Sequence, residues 1–181
     1  MADLARRTLL AAGAALMTTA AAHQTAWDFS FVSIEDGKLD LASYKGRAVL
    51  VVNTASFCGF TYQYEQLEKL HRDMQPKGLT VIGVPSQDFN QESGTNAEVK
   101  TFCEATFGVE FPMAGLSHVR GPQAHPFYRW VKTEQNWEPS WNFNKVLITR
   151  AGAIDAVFGS GDEPAGAKLQ GAIATALSAS V

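Results

Sequence analysis

Hydrophobic positions along the chain fall into two kinds of block. Val49 to Val52 is an unbroken apolar run rich in β-branched residues, and Leu79 to Val84 is a second run of the same kind. Short runs of this composition predict strands buried on both faces. Between them Tyr64, Leu67, Leu70, His71 and Met74 recur at three- and four-residue steps. That period predicts a helix from near Tyr62 to about Gln75, stopped by Pro76 and Gly78. Strand, helix and strand in this order form a right-handed crossover, so the two strands are expected to pair in parallel.

The flanking segments are read the same way. Trp27 to Phe31 alternates large apolar residues with Asp28 and Ser30, a half-buried strand. The turn Glu35-Asp36-Gly37-Lys38 leads to a second short strand, Leu39 to Leu41, giving an N-terminal β-hairpin. Thr95 or Asn96 caps a helix that turns Val99, Phe102 and Cys103 inward and ends near Gly108. Gln123 to Lys132 reads as a short helix and Trp141 to Thr149 as a strand. A turn at Arg150 to Ala153 leads to an antiparallel strand, Ile154 to Phe158, and Ala165 to Ser178 is a last, Ala-rich helix. The order describes an α/β, thioredoxin-like domain: a central mixed sheet flanked by helices, with an N-terminal β-hairpin.

Length and charge narrow the picture. The 181 residues suffice for one domain with a full core, and the net charge is -3. There is no Lys/Arg block to grip a phosphate backbone, so nucleic acid is not an expected partner. Two cysteines are too few for a disulfide-stapled scaffold or a structural zinc site. The first 22 residues read differently from the rest: Arg6-Arg7, an Ala-rich apolar stretch, then Ala20-Ala21-Ala22 as a processing site. This is the order of a secretory signal, and RRTLL resembles its twin-arginine form. The apolar stretch is short for a spanning helix, which needs about 20 residues. The expectation is an exported, periplasmic domain over residues 23–181, without stable membrane insertion after processing, and a cytoplasmic one if the segment is not a working signal.

Cys58 is the candidate nucleophile, since it falls between the carboxyl end of the central strand and the start of a helix. Open α/β sheets present chemistry at such positions, and a helix dipole favours a thiolate there. A dithiol oxidoreductase would need C-x-x-C, but the run is Cys58-Gly59-Phe60-Thr61; a standard peroxiredoxin would resemble P-x-x-x-T-x-x-C, but Ala55 stands at the Thr position. Instead NTASFCGFTYQYEQLEKL resembles the signature of the glutathione peroxidase family around its selenocysteine or cysteine. GVPSQDFNQESGTNAEVKTFC resembles the second block, F-P-C-N-Q-F-G-x-Q-E-P-G, with Gln91 on its glutamine. It departs at Ser86, Asp88, Asn90 and Ser93, and is one residue shorter. FPM at 111–113, GPQAHPFYRW at 121–130 and WNFNKVLITRAG at 141–152 are further blocks similar to the family, in the same order.

The resemblance implies an enzyme, a thiol peroxidase that reduces hydrogen peroxide and organic hydroperoxides through a Cys58 sulfenic acid. It implies a tetrad of Cys58, Gln91, Trp141 and Asn142. Gln91, Asn142 and Trp141 carry neutral N–H donors that can surround a sulfur anion without adding charge. Cys103 lies close to the resolving cysteine of two-cysteine members, one residue earlier than in plant-type members; the alternative is a buried structural thiol. No cofactor is implied, only an external thiol reductant, thioredoxin-like or glutathione. The short segment between Trp130 and Trp141 lacks the insertion of tetrameric members, and no arginine-rich glutathione cradle is evident. Both features resemble the monomeric, thioredoxin-using, lipid-hydroperoxide-tolerant group. His71, His118 and His125 are scattered and propose no metal. Two other readings are an envelope thiol-disulfide exchanger or redox sensor, and a non-catalytic thioredoxin-like binding module.

Overall fold

The computed structural model describes residues 23–179, so the leader expected over residues 1–22 lies outside the described residues. In chain order the elements are β1 (Ser30–Val32), β2 (Lys38–Asp40), β3 (Ala48–Thr54), α1 (Gln63–Met74), β4 (Leu79–Pro85) and α2 (Asn96–Phe107), then α3 (Pro126–Gln135), β5 (Lys145–Ile148), β6 (Ile154–Phe158) and α4 (Ala167–Ser178). β1 and β2 pair antiparallel as a separate hairpin. The main sheet has the order β4-β3-β5-β6. β3 runs parallel to β4 and antiparallel to β5, and β5 is antiparallel to β6. This is the thioredoxin-like mixed sheet that the apolar blocks predict. Among the described residues no helix is long and apolar enough to cross a membrane.

Every residue of β3 and of β4 is buried, because helices cover both faces of the sheet. Side chains alternate between the faces, as strand geometry requires. Leu50, Val52, Val81 and Leu147 pack with Tyr64 and Leu67 of α1, Val99 and Cys103 of α2, and Leu169 and Ile173 of α4. Val49, Val51, Ile82, Val84, Val146 and Ile148 pack with Phe127, Trp130 and Val131 of α3, and with Phe29 and Phe31. Truncating a fully buried member such as Leu50 to Ala costs about 2–5 kcal/mol.

This topology gathers three chain segments at one edge. The register sets Thr54 beside Pro85, so the loops leaving β3 and β4 open on the same side. β5 is antiparallel to β3 with Val52 opposite Lys145, which delivers the segment entering β5 to that edge as well.

Several boundaries differ from those the pattern predicts. Trp27 lies in a 3-10 turn, Ala26–Asp28, and not in a strand. Thr25 and Asp28 form a reciprocal capping box that fixes it. α3 begins at Pro126 and not at Gln123; a proline fits the first helical position and excludes the helical conformation for the residue before it. The strand expected over Trp141 to Thr149 shortens to β5, because Phe143 takes a left-handed φ of 58°. Thr95 caps α2 as expected, accepting from Glu98 N–H, with Gly108 left-handed at the other end.

Candidate active site

Cys58 sits in the turn that leaves β3, with 6% of its surface exposed. Its carbonyl accepts from Thr61 N–H at 3.1 Å, and the carbonyls of Phe60 and Thr61 accept from Gln63 and Tyr64 N–H. The chain thus winds directly into α1, with no side-chain cap. The amino end of α1 lies just beyond this turn. Phe57 and Tyr62 flank the turn and stand out into solvent, 66% and 42% exposed.

Gln91 lies on the loop leaving β4, and its backbone carbonyl accepts from Phe57 N–H at 2.9 Å. That bond fixes the Gln91 loop against the Cys58 turn at the residue preceding the thiol. The side-chain Nδ2 of Asn142 donates to Gln91 Oε1 at 2.9 Å. Because the amide oxygen of Gln91 is thereby occupied, its NH2 group is the end left to donate. Asn142 is fully buried, whereas Trp141 is 40% exposed. The Trp141 ring packs against Phe89 of the Gln91 loop, 5.4 Å between centroids. Cys58, Gln91, Trp141 and Asn142 therefore come from three chain segments to one end of the sheet. The structure links Gln91 with Asn142 directly, and with Cys58 through the neighbouring backbone.

Five residues that sequence reasoning left unassigned hold this arrangement. Asn53, buried in β3, binds the 141–144 turn from below: its Nδ2 donates to the Trp141 carbonyl at 3.0 Å and its Oδ1 accepts from Asn144 N–H at 3.0 Å. Ser160 Oγ donates to the Asn142 carbonyl at 2.6 Å and accepts from Asn144 Nδ2 at 2.8 Å. Gln63, the first residue of α1, donates to the Ser160 carbonyl at 2.7 Å. Lys145, with no surface exposed, donates to Gln63 Oε1 at 2.7 Å and to the Phe143 carbonyl at 2.8 Å. Glu92 accepts at one carboxylate oxygen from Ser56 N–H and Ser93 N–H, 3.1 and 2.8 Å, tying the Cys58 turn to the Gln91 loop a second time. Burial raises the Glu92 carboxyl above its ordinary range, against the pull of these bonds. A polar residue inside an otherwise apolar strand, as Asn53 is, was the available signal, since such a side chain must find buried partners.

Outside this centre, Asp88 anchors the same loop by accepting from Val119 N–H at 2.6 Å, with the His118 ring also at 2.6 Å. His125 caps α3 and stacks on Phe31, 4.0 Å between centroids. Cys103 lies on the inner face of α2 with no surface exposed, in the same apolar cluster as Cys58. Both thiols are free. Burial pushes the Cys103 thiol up to about 11, the Tyr64 hydroxyl beside it opposes this, and the charges of Glu92 and Glu104 add to it.

A thioredoxin-like sheet with a cysteine in the turn after its central strand, and with polar side chains from two other segments at the same edge, is the frame of a thiol enzyme. The glutathione peroxidase family model matches residues 26–132. A glutathione peroxidase of Lactococcus lactis subsp. cremoris is 42% identical over 143 residues, 76% of this chain and 91% of the relative. A hydroperoxy fatty acid reductase of Synechocystis is 36% identical over 157 residues, 81% of this chain and 93% of its own. Among solved structures, Trgpx in its apo form superposes with a TM-score of 0.70 at 35% identity, covering 86% of this chain and 97% of that one. The chain belongs to the glutathione peroxidase family and is a thiol peroxidase.

Proposed function

We propose that Cys58 is the peroxidatic nucleophile and that Gln91, Trp141 and Asn142 complete its site. The Cys58 thiolate attacks one oxygen of a hydroperoxide, the O–O bond breaks, and the electron pair leaves on the departing oxygen, which takes up the proton released by the thiol. The products are a Cys58 sulfenic acid and water or an alcohol. The Gln91 NH2 group and the Trp141 indole N–H stabilise the charge that shifts from sulfur to oxygen, and Asn142 orients the Gln91 amide. The observation that carries this reading is the 2.9 Å bond from Asn142 to Gln91 Oε1, which turns a donor rather than an acceptor outward.

Cys103 is proposed to resolve the sulfenic acid by forming a disulfide with Cys58. Its sealed position requires the packing around α2 to open before its sulfur can meet that of Cys58. An external thiol reductant then restores both cysteines; no cofactor takes part. A hydroperoxy fatty acid reductase among the relatives supports organic hydroperoxides beside hydrogen peroxide as substrates. The reading includes export under the leader and action as a monomer.

The test is stopped-flow reaction of the reduced protein with hydrogen peroxide and with cumene hydroperoxide, then turnover with thioredoxin or glutathione. The expected result is stoichiometric peroxide consumption, and thioredoxin-supported turnover that Cys103→Ser abolishes. Turnover unchanged in Cys103→Ser would remove the resolving role alone; a wild-type protein inert to both peroxides would remove the mechanism.

A further inference from the structure

Resting on the peroxidase reading, we propose that Lys145 is a positioning residue, the strut that locks the two halves of the site together. One half is the Cys58 turn, which continues into α1 at Gln63. The other is the turn Trp141 to Asn144, which carries two of the three donor side chains. Lys145 Nζ reaches both, at 2.7 Å to the Gln63 side chain and 2.8 Å to the Phe143 carbonyl.

The choice of residue argues for such a task. Lys145 is wholly buried, and no carboxylate lies within ion-pair distance of it among the described residues. An ammonium in that setting opposes folding unless its bonds are needed. What it binds is informative: Phe143 is one of four non-glycine residues with a positive φ among the described residues, and it has no surface exposed. A bulky residue in that conformation is held there by its surroundings. The Lys145 bond to the Phe143 carbonyl and the Asn53 carbonyl's bond from Phe143 N–H grip the residue from both sides. That conformation points Asn142 at Gln91 and places Trp141 beside Phe89. The same Gln63 that accepts from Lys145 also donates to the Ser160 carbonyl, and Ser160 holds the Asn142 carbonyl. The strut is thus closed into a ring of bonds behind the donors.

The charged groups facing Lys145 are Asp162 and Glu163 of the β6–α4 connection; on α1 and β5 it meets the neutral Gln63 amide and the Phe143 carbonyl. Burial brings its ammonium down to about 8, with those two carboxylates opposing. Charge-assisted bonds are roughly twice as strong as neutral ones, so the strut slackens as pH rises through that value.

The experiment compares wild type with Lys145→Met, which keeps the length and apolar volume of the chain but removes charge and donors. Two rates at Cys58 are read by mass spectrometry: sulfenic acid formation with hydrogen peroxide, and alkylation by iodoacetamide. Peroxide reduction needs the oriented donors, whereas alkylation needs only the sulfur. Lys145→Met is expected to slow the peroxide reaction about 10- to 100-fold, with alkylation changed less than about threefold. Both rates falling together, or neither falling, would overturn the proposal. If Lys145→Met does not fold, wild type decides: its peroxide-to-alkylation ratio is expected to drop at least about threefold between about pH 7 and about pH 9.5. A ratio flat across that interval overturns the strut. A wild-type protein that alkylates at Cys58 but ignores peroxide overturns instead the peroxidase mechanism on which the strut rests.

Discussion

Cys58 and Cys103 share one apolar cluster, yet their settings make them different reagents. Cys58 lies in the turn between β3 and α1, flanked in sequence by two exposed aromatic residues, and keeps a small part of its surface exposed. Cys103 is on the inner face of α2, wholly sealed, with its thiol pushed up by burial and by neighbouring carboxylates. Reactivity at a thiol follows thiolate character and access; burial withholds both from Cys103, whereas Cys58 keeps a small exposed surface. Any role of Cys103 must therefore wait for a change of conformation that exposes it.

The comparison breaks most simply at Cys58 itself. Cys58→Ser should lower peroxide consumption by at least about a thousandfold, measured as loss of peroxide absorbance; residual rapid consumption would mean that Cys103 is the reacting group. Next in size, Cys103 of the folded protein should alkylate roughly 10²–10³-fold more slowly than Cys58. In denaturant the two should become equal, so equal rates in the native protein would erase the distinction. Gln91→Ala should slow peroxide reduction by about 10²-fold and leave alkylation of Cys58 nearly unchanged, separating the donors from the nucleophile.

The smallest effect is expected at Glu92, which binds the Cys58 turn at Ser56 and whose charge acts on Cys103. Burial raises its carboxyl in the folded state, so the folded protein holds that proton more tightly than the unfolded chain. Wild type then loses stability as pH climbs from the ordinary carboxyl range through the raised value. Glu92→Gln keeps an oxygen acceptor for Ser56 N–H and Ser93 N–H but does not titrate. Its stability margin over wild type should grow across that window and level off above it, read by urea unfolding at several pH values. A margin independent of pH would show that the charge is not buried at a cost.

What the sequence made legible follows from how locally each feature is determined. β3, β4 and the helix between them could be read because apolar period and a Pro-Gly stop are local signals. The Thr95–Glu98 capping box likewise lies within four residues. The turn at Trp141 to Asn144 could not be read this way. It contains no glycine or proline, and Phe143 is driven into its left-handed conformation by Asn53, about 90 positions away in the chain. Pro126 was a legible signal for the start of α3, since the residue ahead of a proline avoids the helical region. Cys58 was reached from its place between a strand and a helix, Gln91, Trp141 and Asn142 through motif resemblance, and the structure brings their segments to one edge. Their supports, the buried Asn53, Gln63 and Lys145 and the half-buried Ser160, were not reached, because partners so distant in the chain leave no common spacing.

The claim that one sulfur carries the chemistry is tested most directly by trapping the first product. Reduced protein is given one equivalent of hydrogen peroxide in the presence of dimedone, digested and mapped by mass spectrometry. The adduct is predicted on the peptide containing Cys58, at near-stoichiometric yield and with none on Cys103. A first adduct on Cys103, or no adduct while peroxide is still consumed, would contradict the account.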